Sequence, residues 1–336
     1  MLVAHPEGEL YRRASEGPDL VPLAPRNEVD LASAWKLSRI LRQWRPAIVH
    51  AHDPHAVAMA GLALGFGAPT PRPQLLASRR VDFHLQANSF SQWKYRQVDG
   101  FIAASGAIRD ILVHDGIDAA RIEVVHDGID VERVQHIAPV SIHTEYWLPH
   151  GVPVIANVGA LVGHKGQRHL VDAMPLVRRE VPDAHLVIFG EGDLRAPLEK
   201  QVKQLGLEKH VLLPGFREDV LALVKTADLF VMSSVTEGLG SAVLDAMAMG
   251  LAVVGTRAGG IPEAVLPGKT GLLVEPGDPA ALAHAIVTLL KDREMREVLG
   301  AAGRERVREK FGVDRLVEGT LAAYQHFAGR PAAALT

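Results

Sequence analysis

The sequence contains no cysteine among its 336 residues, so disulfide bridges, thiolate zinc sites and a cysteine nucleophile are all excluded. No run approaches the roughly 18 consecutive apolar residues of a membrane-spanning helix. The start, MLVAHPEGEL, lacks the basic segment and apolar core of a signal peptide. With 36 basic against 39 acidic residues, the positive excess that indicates a nucleic-acid partner is missing. We therefore expect a soluble, cytoplasmic protein that binds no nucleic acid.

What the sequence does have is a regular alternation of short apolar runs and amphipathic segments. Helical patterns cover, for example, Leu31–Trp44 and Arg168–Val181. The apolar runs predict strands at Leu2–His5, Leu20–Leu23, Ala47–Ala51, Gln74–Ser78, Gly100–Ala104, Ile122–His126, Pro153–Val158, Ala184–Phe189, Val211–Leu213, Asp228–Met232, Leu251–Gly255 and Gly271–Val274. Nearly continuous apolar strands that alternate with helices are typical of parallel sheets covered on both faces. The pattern predicts an α/β protein of two Rossmann-like, doubly wound domains facing a cleft, which is the expected ligand site.

The segment Ile137–Val152 interrupts this alternation, with two prolines and no clear periodicity. We therefore predict a first domain over residues 1–140 and a second over residues 141–312. A helix within residues 313–336 is predicted to pack back on the first domain, with a frayed end in GRPAAALT.

The clearest chemical signal is the loop EGLGS at residues 237–241. Gly238 and Gly240 allow the backbone to approach a ligand closely. A helix that begins near Ser241 directs free amide groups toward an anion, and Asp245 lies one turn further on the same face. Such a loop can hold an anionic nucleotide while a carboxylate reaches the attached sugar. The alternative is a capped helix with two solvated acidic residues.

This loop, GGIPE at residues 259–263 and TGLLVEPGD at residues 270–278 together resemble the retaining GT-B glycosyltransferases of family 4. Their signature has a Glu, seven residues and a second Glu. The resemblance implies metal-independent transfer of a sugar from a nucleotide-diphosphate sugar to an acceptor hydroxyl, with retention of anomeric configuration and no cofactor. It implies a role in cell-envelope or polysaccharide synthesis, with the acceptor at the first domain and the nucleotide sugar at the second.

The resemblance also implies roles for single residues. Glu237 and the loop amides of Leu239, Gly240 and Ser241 would hold the donor sugar, and Asp245 the ribose. Asp245 departs from the family, which has Glu at this position. A side chain one methylene shorter can accept both ribose hydrogens directly or through a water.

A second loop, VGALVGHKGQ, places Gly159 at a strand end and Lys165 before a helix. A lysine here can neutralise a diphosphate leaving group, although a surface lysine is the alternative. The glycine spacing is not that of a Walker A loop. In the family the loop usually carries an arginine where this chain has Ala160. The resemblance therefore leaves the diphosphate to Lys165, with help from His164 or Arg168.

Further residues are assigned by the same resemblance. Glu191, in the turn GEGD, would lie on the donor side, and Phe216 and Arg217 would lie where the family stacks or backs its base. Ser105 matches a recurrent family position, with a purely structural role as the alternative. In the turn VHDGID we expect Gly128 to adopt a positive φ.

The first half contains three histidines in AIVHAHDPHA. Strand alternation puts His50 and His52 on one face but leaves His55 in a turn, and no nearby Glu completes a metal site, so we predict none. The resemblance implies a histidine that lines the donor-sugar pocket, with His52 as first choice and His55 as second. Satisfied histidines beside a helix-capping Asp53 are the alternative.

Basic and aromatic residues in the first half leave the acceptor open. Arg79 and Arg80 follow a strand, and WKYRQVD at residues 93–99 mixes both residue types. They can bind a glycan, lipid-linked or small-molecule acceptor, or meet the inner face of a membrane. A solvated helix face is an equal alternative.

Family members normally open with a strand and a Gly-rich loop before the segment that resembles MLVAHPEG. We therefore expect the chain to begin at the second strand, so that a central strand is absent and buried edges are left unpaired. Ala160, Asp245 and this start keep open a sugar-nucleotide-binding partner subunit without turnover. A nucleotide-sugar 2-epimerase is the second rival, against which the EGLG and GGIPE segments argue.

Overall fold

The computed structural model describes residues 1–14, 19–86 and 88–329. The strands of the first domain are β1 (Leu2–Ala4), β2 (Leu20–Pro22), β3 (Ile48–Ala51), β4 (Gln74–Arg79), β5 (Gly100–Ala103) and β6 (Ile122–Val124). Its helices are α1 (Glu9–Arg13), α2 (Leu31–Trp44), α3 (Pro54–Gly65), α4 (Ser89–Arg96) and α5 (Gly106–His114). β1 and β2 pair in parallel as a sheet of their own, and β3 to β6 form a four-stranded parallel sheet in chain order.

The rest of the chain begins with α6 (Val131–His136) and α7 (Ile142–Glu145). The strands that follow are β7 (Val154–Val158), β8 (His185–Phe189), β9 (Val211–Gly215), β10 (Leu229–Met232), β11 (Val253–Thr256) and β12 (Leu272–Val274). The helices are α8 (Gln167–Glu180), α9 (Arg195–Gln204), α10 (Val220–Val224), α11 (Ser241–Ala248), α12 (Ile261–Ala264), α13 (Pro279–Lys291), α14 (Arg293–Lys310) and α15 (Val313–Ala328). The six strands form one parallel sheet in the order β12-β11-β10-β7-β8-β9.

The predicted α/β architecture is confirmed, and each of the twelve predicted strands is present with its ends within two residues of the prediction. The first domain differs in one respect, because its strands divide between two sheets. Among the described residues, β1 pairs only with β2 and β3 only with β4. The absence of a central strand between them stays a prediction.

The second domain has a core on each face of its sheet because its strands are largely apolar and its helices are amphipathic. All five residues of β8 are buried. α8 buries Leu170, Met174 and Val177 and leaves its basic residues toward solvent. Its strand order reverses between β7 and β10, and open α/β sheets bind ligands at such a reversal.

The chain crosses from one domain to the other twice, and the two crossing segments lie side by side. The amide of Ile129 donates to the carbonyl of Phe311 at 2.7 Å, and Val313 donates back to Ile129 at 3.2 Å. The positive φ expected at Gly128 is wrong: Gly128 is not among the glycines with positive φ. A side chain is excluded there because its Cβ would come within 2.9 Å of the carbonyl oxygen of Gly312.

These crossings exchange helices between the cores. Val131 and Val134 of α6 belong to the core of the second domain. α15 returns to the first domain, where Ala323 and Phe327 pack with Leu76 and other buried residues. The limits 1–140 and 141–312 stay a prediction, and residues 330–336 of the predicted C-terminal segment lie outside the described residues. No helix of the described ranges is both long and apolar enough to cross a bilayer.

We expect the packing of α15 on the first domain to depend on Phe327, whose side chain is 1% exposed and lies against β5. Phe327→Ala should lower the free energy of unfolding of the first domain by about 3–5 kcal/mol, through lost burial and the cavity left behind. Urea denaturation followed by tryptophan fluorescence measures it. Leu321→Ala, on the same helix but 53% exposed, is the control and should change it by less than about 0.5 kcal/mol. Equal losses in the two variants would contradict this packing.

Candidate functional site

Two loops meet where the strand order of the second domain reverses, one after β7 and one after β10. Together with the start of α11 they line a cavity of about 240 Å³. The residues predicted from the sequence that line it are Gly159, Lys165, Glu237, Gly240, Ser241 and Asp245, together with Ala160, which stands where the family usually has an arginine. The fold thus brings together most of the predicted donor side, from loops that are more than seventy residues apart in the chain.

An ion pair crosses this cavity. Lys165 Nζ lies 2.9 and 2.7 Å from the two carboxylate oxygens of Glu237. Ser234 Oγ donates to the same carboxylate at 2.9 Å. The side chains of Lys165 and Glu237 are 19% and 10% exposed, so the pair is screened little by solvent. The backbone of the two loops is also tied, because Val235 donates its amide to the carbonyl of His164 at 2.7 Å.

The end of α11 that faces the cavity is open to an anion. Its N-cap is Gly240, at φ 90°, which supplies no side chain to the amides of the first turn. Unsatisfied amides and the helix dipole favour negative charge at such a terminus. One turn further, Asp245 lines the cavity. Burial raises the pKa of Asp245 to about 6, and Arg133 acts in the opposite direction.

The loop that carries Glu237 is held from both sides. Gly260 donates its amide to the carbonyls of Glu237 and Gly238 at 3.2 and 3.1 Å. From the first domain, Ser105 Oγ donates to the carbonyl of Gly238 at 2.7 Å. A Cβ on Gly238 would overlap the carbonyl oxygen of Arg80, so only glycine permits this contact between the domains.

Glu263 joins the domains beside that loop. Its carboxylate accepts the amides of Gly106 and Ala107, at the start of α5, at 3.0 and 3.1 Å. It also lies 2.7 Å from His126 Nε2. Burial raises the pKa of Glu263, but the hydrogen bonds from His126 and the two amides outweigh it and hold the pKa below its usual range.

The interdomain role of Glu263 was not predicted from the sequence. The GGIPE segment includes the residue but indicates no hydrogen-bond partner for its carboxylate. Its partners lie 137 to 157 residues earlier in the chain. No local pattern reports a contact of that kind.

His50 and His52 of the first domain lie around a different cavity, of about 280 Å³, between the sheet and α15. His52 lines it and does not line the cavity at Lys165, so its predicted role at the donor sugar stays a prediction. His50 bonds Tyr324 Oη at 2.7 Å and Ser78 Oγ at 2.8 Å. Burial, with His52 and Arg80 nearby, lowers the pKa of His50 to about 3, so this imidazole is neutral at physiological pH. Asp53 caps α3, accepting the amide of Ala56 at 2.8 Å.

Three other predicted residues lie outside the cavity at Lys165. His55 is exposed, 3.6 Å from Glu28. Glu191 pairs with Arg195 at 2.9 Å. Arg217 bridges Asp219 and Glu145 at 2.8 and 2.7 Å, and the pKa of its guanidinium is raised by both carboxylates, Asp219 most. Their donor roles stay predictions.

Two family descriptions match the chain: Glycosyltransferase Family 4 over residues 2–133 and Glycosyl transferases group 1 over residues 142–306. N-acetyl-alpha-D-glucosaminyl L-malate synthase of Bacillus anthracis is 34% identical over 173 residues, which cover 52% of this chain and 45% of that protein. The putative glycosyltransferase EpsD of Bacillus subtilis is 27% identical, covering 88% of this chain and 80% of its own length.

A GDP-mannose-dependent alpha-(1-6)-phosphatidylinositol monomannoside mannosyltransferase of Mycolicibacterium smegmatis is 39% identical over 163 residues, covering 45% of this chain and 42% of the relative. The chain thus spans less than half the length of this mannosyltransferase and of the malate synthase. Among solved structures, Anabaena Alr3699/HepE in complex with UDP-glucose superposes with a TM-score of 0.81 at 20% identity, over 96% of this chain and 90% of that one. The two family matches cover both domains, and the chain belongs to the family 4 glycosyltransferases with the GT-B fold.

Proposed function

We propose that the protein transfers a sugar from a nucleotide-diphosphate sugar to an acceptor hydroxyl, with retention of anomeric configuration and without a metal or cofactor. The observation that carries the proposal is the Lys165–Glu237 pair, in one cavity with the open start of α11 and with Asp245. The acceptor is a glycan, a lipid-linked sugar or a small molecule in glycan synthesis. The first domain is the part that meets the acceptor or the inner face of a membrane.

In this proposal the donor diphosphate binds at the start of α11, where Ser241 follows the uncapped Gly240. Asp245, with its raised pKa, accepts hydrogen bonds from the ribose hydroxyls. The nucleotide base stays open, since HepE was solved with UDP while the mycobacterial relative is named for GDP-mannose.

Lys165 and Glu237 then divide two tasks. When the diphosphate enters, Lys165 Nζ turns from Glu237 to the phosphate oxygens, and the freed Glu237 carboxylate accepts sugar hydroxyls. The bond from the anomeric carbon to the phosphate oxygen breaks, and the bond to the acceptor oxygen forms on the same face. The departing phosphate takes the acceptor proton, as the family resemblance implies, and Lys165 neutralises the charge that develops there.

Ala160 stands where the family usually has an arginine, and this loss of a cation favours a second candidate function. In that alternative the protein is a partner subunit that binds a sugar nucleotide without turnover. Among the described residues that line the cavity, Lys165 is the only basic one. Thermal-shift screening of UDP- and GDP-sugars identifies the bound donor, because binding raises apparent stability. Transfer to an acceptor or hydrolysis of that donor supports the transferase, and binding without either supports the subunit.

Lys165→Ala and Glu237→Ala are each expected to lower donor turnover by on the order of a hundredfold, because transition-state electrostatics are lost. Turnover of the donor found in the screen measures the effect. Lys200→Ala and Glu208→Ala, exposed positions outside the cavity, remove the same charges and should keep wild-type rates. Wild-type-like turnover in both site variants would overturn the assignment.

The raised pKa of Asp245 predicts a pH dependence of nucleotide binding. The ionised carboxylate accepts a ribose hydroxyl on each of its two oxygens, whereas protonation turns one of these oxygens into a donor. UDP affinity should therefore be full above about pH 6 and should fall as the pH drops through that value. Calorimetry at pH values on either side of the transition measures the dissociation constant.

The matched control for this pH dependence is Asp245→Asn, which keeps the size of the side chain but cannot ionise. The phosphates of UDP titrate with both proteins, so the difference between the two pH profiles isolates Asp245. Superimposable profiles would exclude the ribose role of this carboxylate.

A further inference from the structure

The cavity between the first-domain sheet and α15 has the size and the walls of a small-molecule site. Its volume is about 280 Å³, and among the residues that the structure describes it shares no wall residue with the cavity at Lys165. An apolar cavity of about 150 Å³ holds one benzene molecule, so this one has room for a compact ligand of about two such rings. Half of its wall residues are apolar, namely Ile102, Ala104, Val125, Leu316, Val317 and Leu321. A concave, largely apolar site with a few polar groups is typical of small-molecule binding.

The wall that α15 contributes leaves apolar surface in water. Val317 and Leu321 are 49% and 53% exposed and lie one turn apart on the helix. Both line the cavity. Neighbouring exposed apolar side chains at the rim of a cavity indicate a binding surface, because an apolar ligand there removes them from water.

The same cavity has a polar end at Arg80 and Asp127. Arg80 follows β4 and Asp127 follows β6, and Arg80 Nε lies 3.2 Å from Asp127 Oδ1. Burial raises the pKa of Asp127 above its usual value, although Arg80 and His126 act in the opposite direction. His50 and Ser78 also line the cavity, but they bond each other at 2.8 Å. The polar end therefore offers a partly desolvated carboxylate, which is suited to a ligand that supplies a hydrogen bond.

This polar end lies beside the loop that carries Glu237. The carbonyl oxygen of Arg80 packs against Gly238. Ser105, which follows Ala104 of the cavity wall, donates to the carbonyl of Gly238 at 2.7 Å. Arg80 and Ala104 directly follow the carboxyl ends of β4 and β5, where α/β sheets bind their ligands. A ligand in the cavity would therefore direct its polar group toward the place proposed for the donor sugar.

We propose that this cavity binds the apolar body of the acceptor, and that Asp127 accepts a hydrogen bond from the acceptor hydroxyl. The acceptor is then a compact alcohol on an aromatic or alicyclic group. A glycan fits less well, because it would bury hydroxyls without partners against the apolar walls. In the transfer, the acceptor oxygen bonds the anomeric carbon, the bond from that carbon to the phosphate oxygen breaks, and the hydroxyl proton leaves on the nucleoside diphosphate. The acceptor role rests on the proposed function, whereas binding in the cavity needs no donor.

Fluorescence titration with 2-naphthol, two fused aromatic rings with one hydroxyl, tests the binding. Val317→Ala with Leu321→Ala should weaken 2-naphthol binding about tenfold, because apolar wall contacts are lost. Asp127→Asn should weaken it about fivefold, because a hydrogen bond to a charged group is lost. The same variant should leave the affinity for 2-methoxynaphthalene unchanged, since this probe has no hydroxyl to donate. Failure of the wild type to bind 2-naphthol, or equal weakening of both probes by Asp127→Asn, would overturn the proposal.

A matched pair of substitutions controls for general loss of apolar surface. Leu205→Ala with Val298→Ala removes the same two kinds of side chain from exposed positions of the second domain and should bind 2-naphthol like the wild type. A loss in this control pair as large as in the α15 pair would refute the cavity as the site. Methyl α-glucopyranoside, an alcohol that is polar on all sides, should not displace 2-naphthol. Displacement by this glucoside at equal concentration would assign the cavity to a glycan and refute the apolar acceptor.

Donor turnover distinguishes the acceptor role from the proposed function. With the donor found in the thermal-shift screen, 2-naphthol that receives the sugar, or that slows hydrolysis of the donor, supports an acceptor position in the cavity. Donor hydrolysis that saturating 2-naphthol leaves unchanged would overturn that position. A protein that binds 2-naphthol in this cavity but turns over no donor would refute the transferase and support the cavity as a binding site.

Discussion

Both domains of this protein donate hydrogen bonds to the backbone of Glu237 and Gly238, and the geometry of the site depends on these bonds. The amide of Gly260 holds this backbone from the second domain, and Ser105 Oγ holds it from the first. Because the chain is fixed on both sides, the Glu237 carboxylate meets Lys165 with little freedom of its own. The geometry of the cavity therefore depends on how the domains sit, and the Glu263 carboxylate at the start of α5 secures that arrangement.

The ionisable groups around the cleft differ in how many hydrogen bonds the folded protein supplies to them. Glu263 has three hydrogen-bond donors within reach, and the pKa of its carboxyl lies below the usual range despite burial. Burial dominates at Asp245 and raises the pKa of its carboxyl to about 6. A carboxylate that burial disfavours and few groups satisfy is suited to a ligand that supplies hydrogen bonds. This contrast supports a structural role for Glu263 and the proposed donor role of Asp245.

The elements of this protein could be predicted closely because their signals are local. Helix α2 extends from Leu31 to Trp44 as its periodicity indicates, and Asp30 supplies the cap that starts it. A glycine in the sequence is a weaker signal, because two different constraints require it: a positive φ, and the close approach of another backbone segment. The sequence does not tell these two apart. Gly128 illustrates this: its reason is the nearby backbone of Gly312, which follows it by almost two hundred residues.

The sequence by itself determined the α/β class, the strands and the family, because apolar periodicity and motif spacing are properties of neighbouring residues. It also indicated Lys165, Glu237 and Asp245 as a group. Only the tertiary structure decided that His52 lines a cavity other than the one at Lys165, and that the Glu263 side chain bonds residues of the first domain. Those outcomes depend on the relative placement of two sheets and of α15, to which distant residues contribute and which no local pattern encodes.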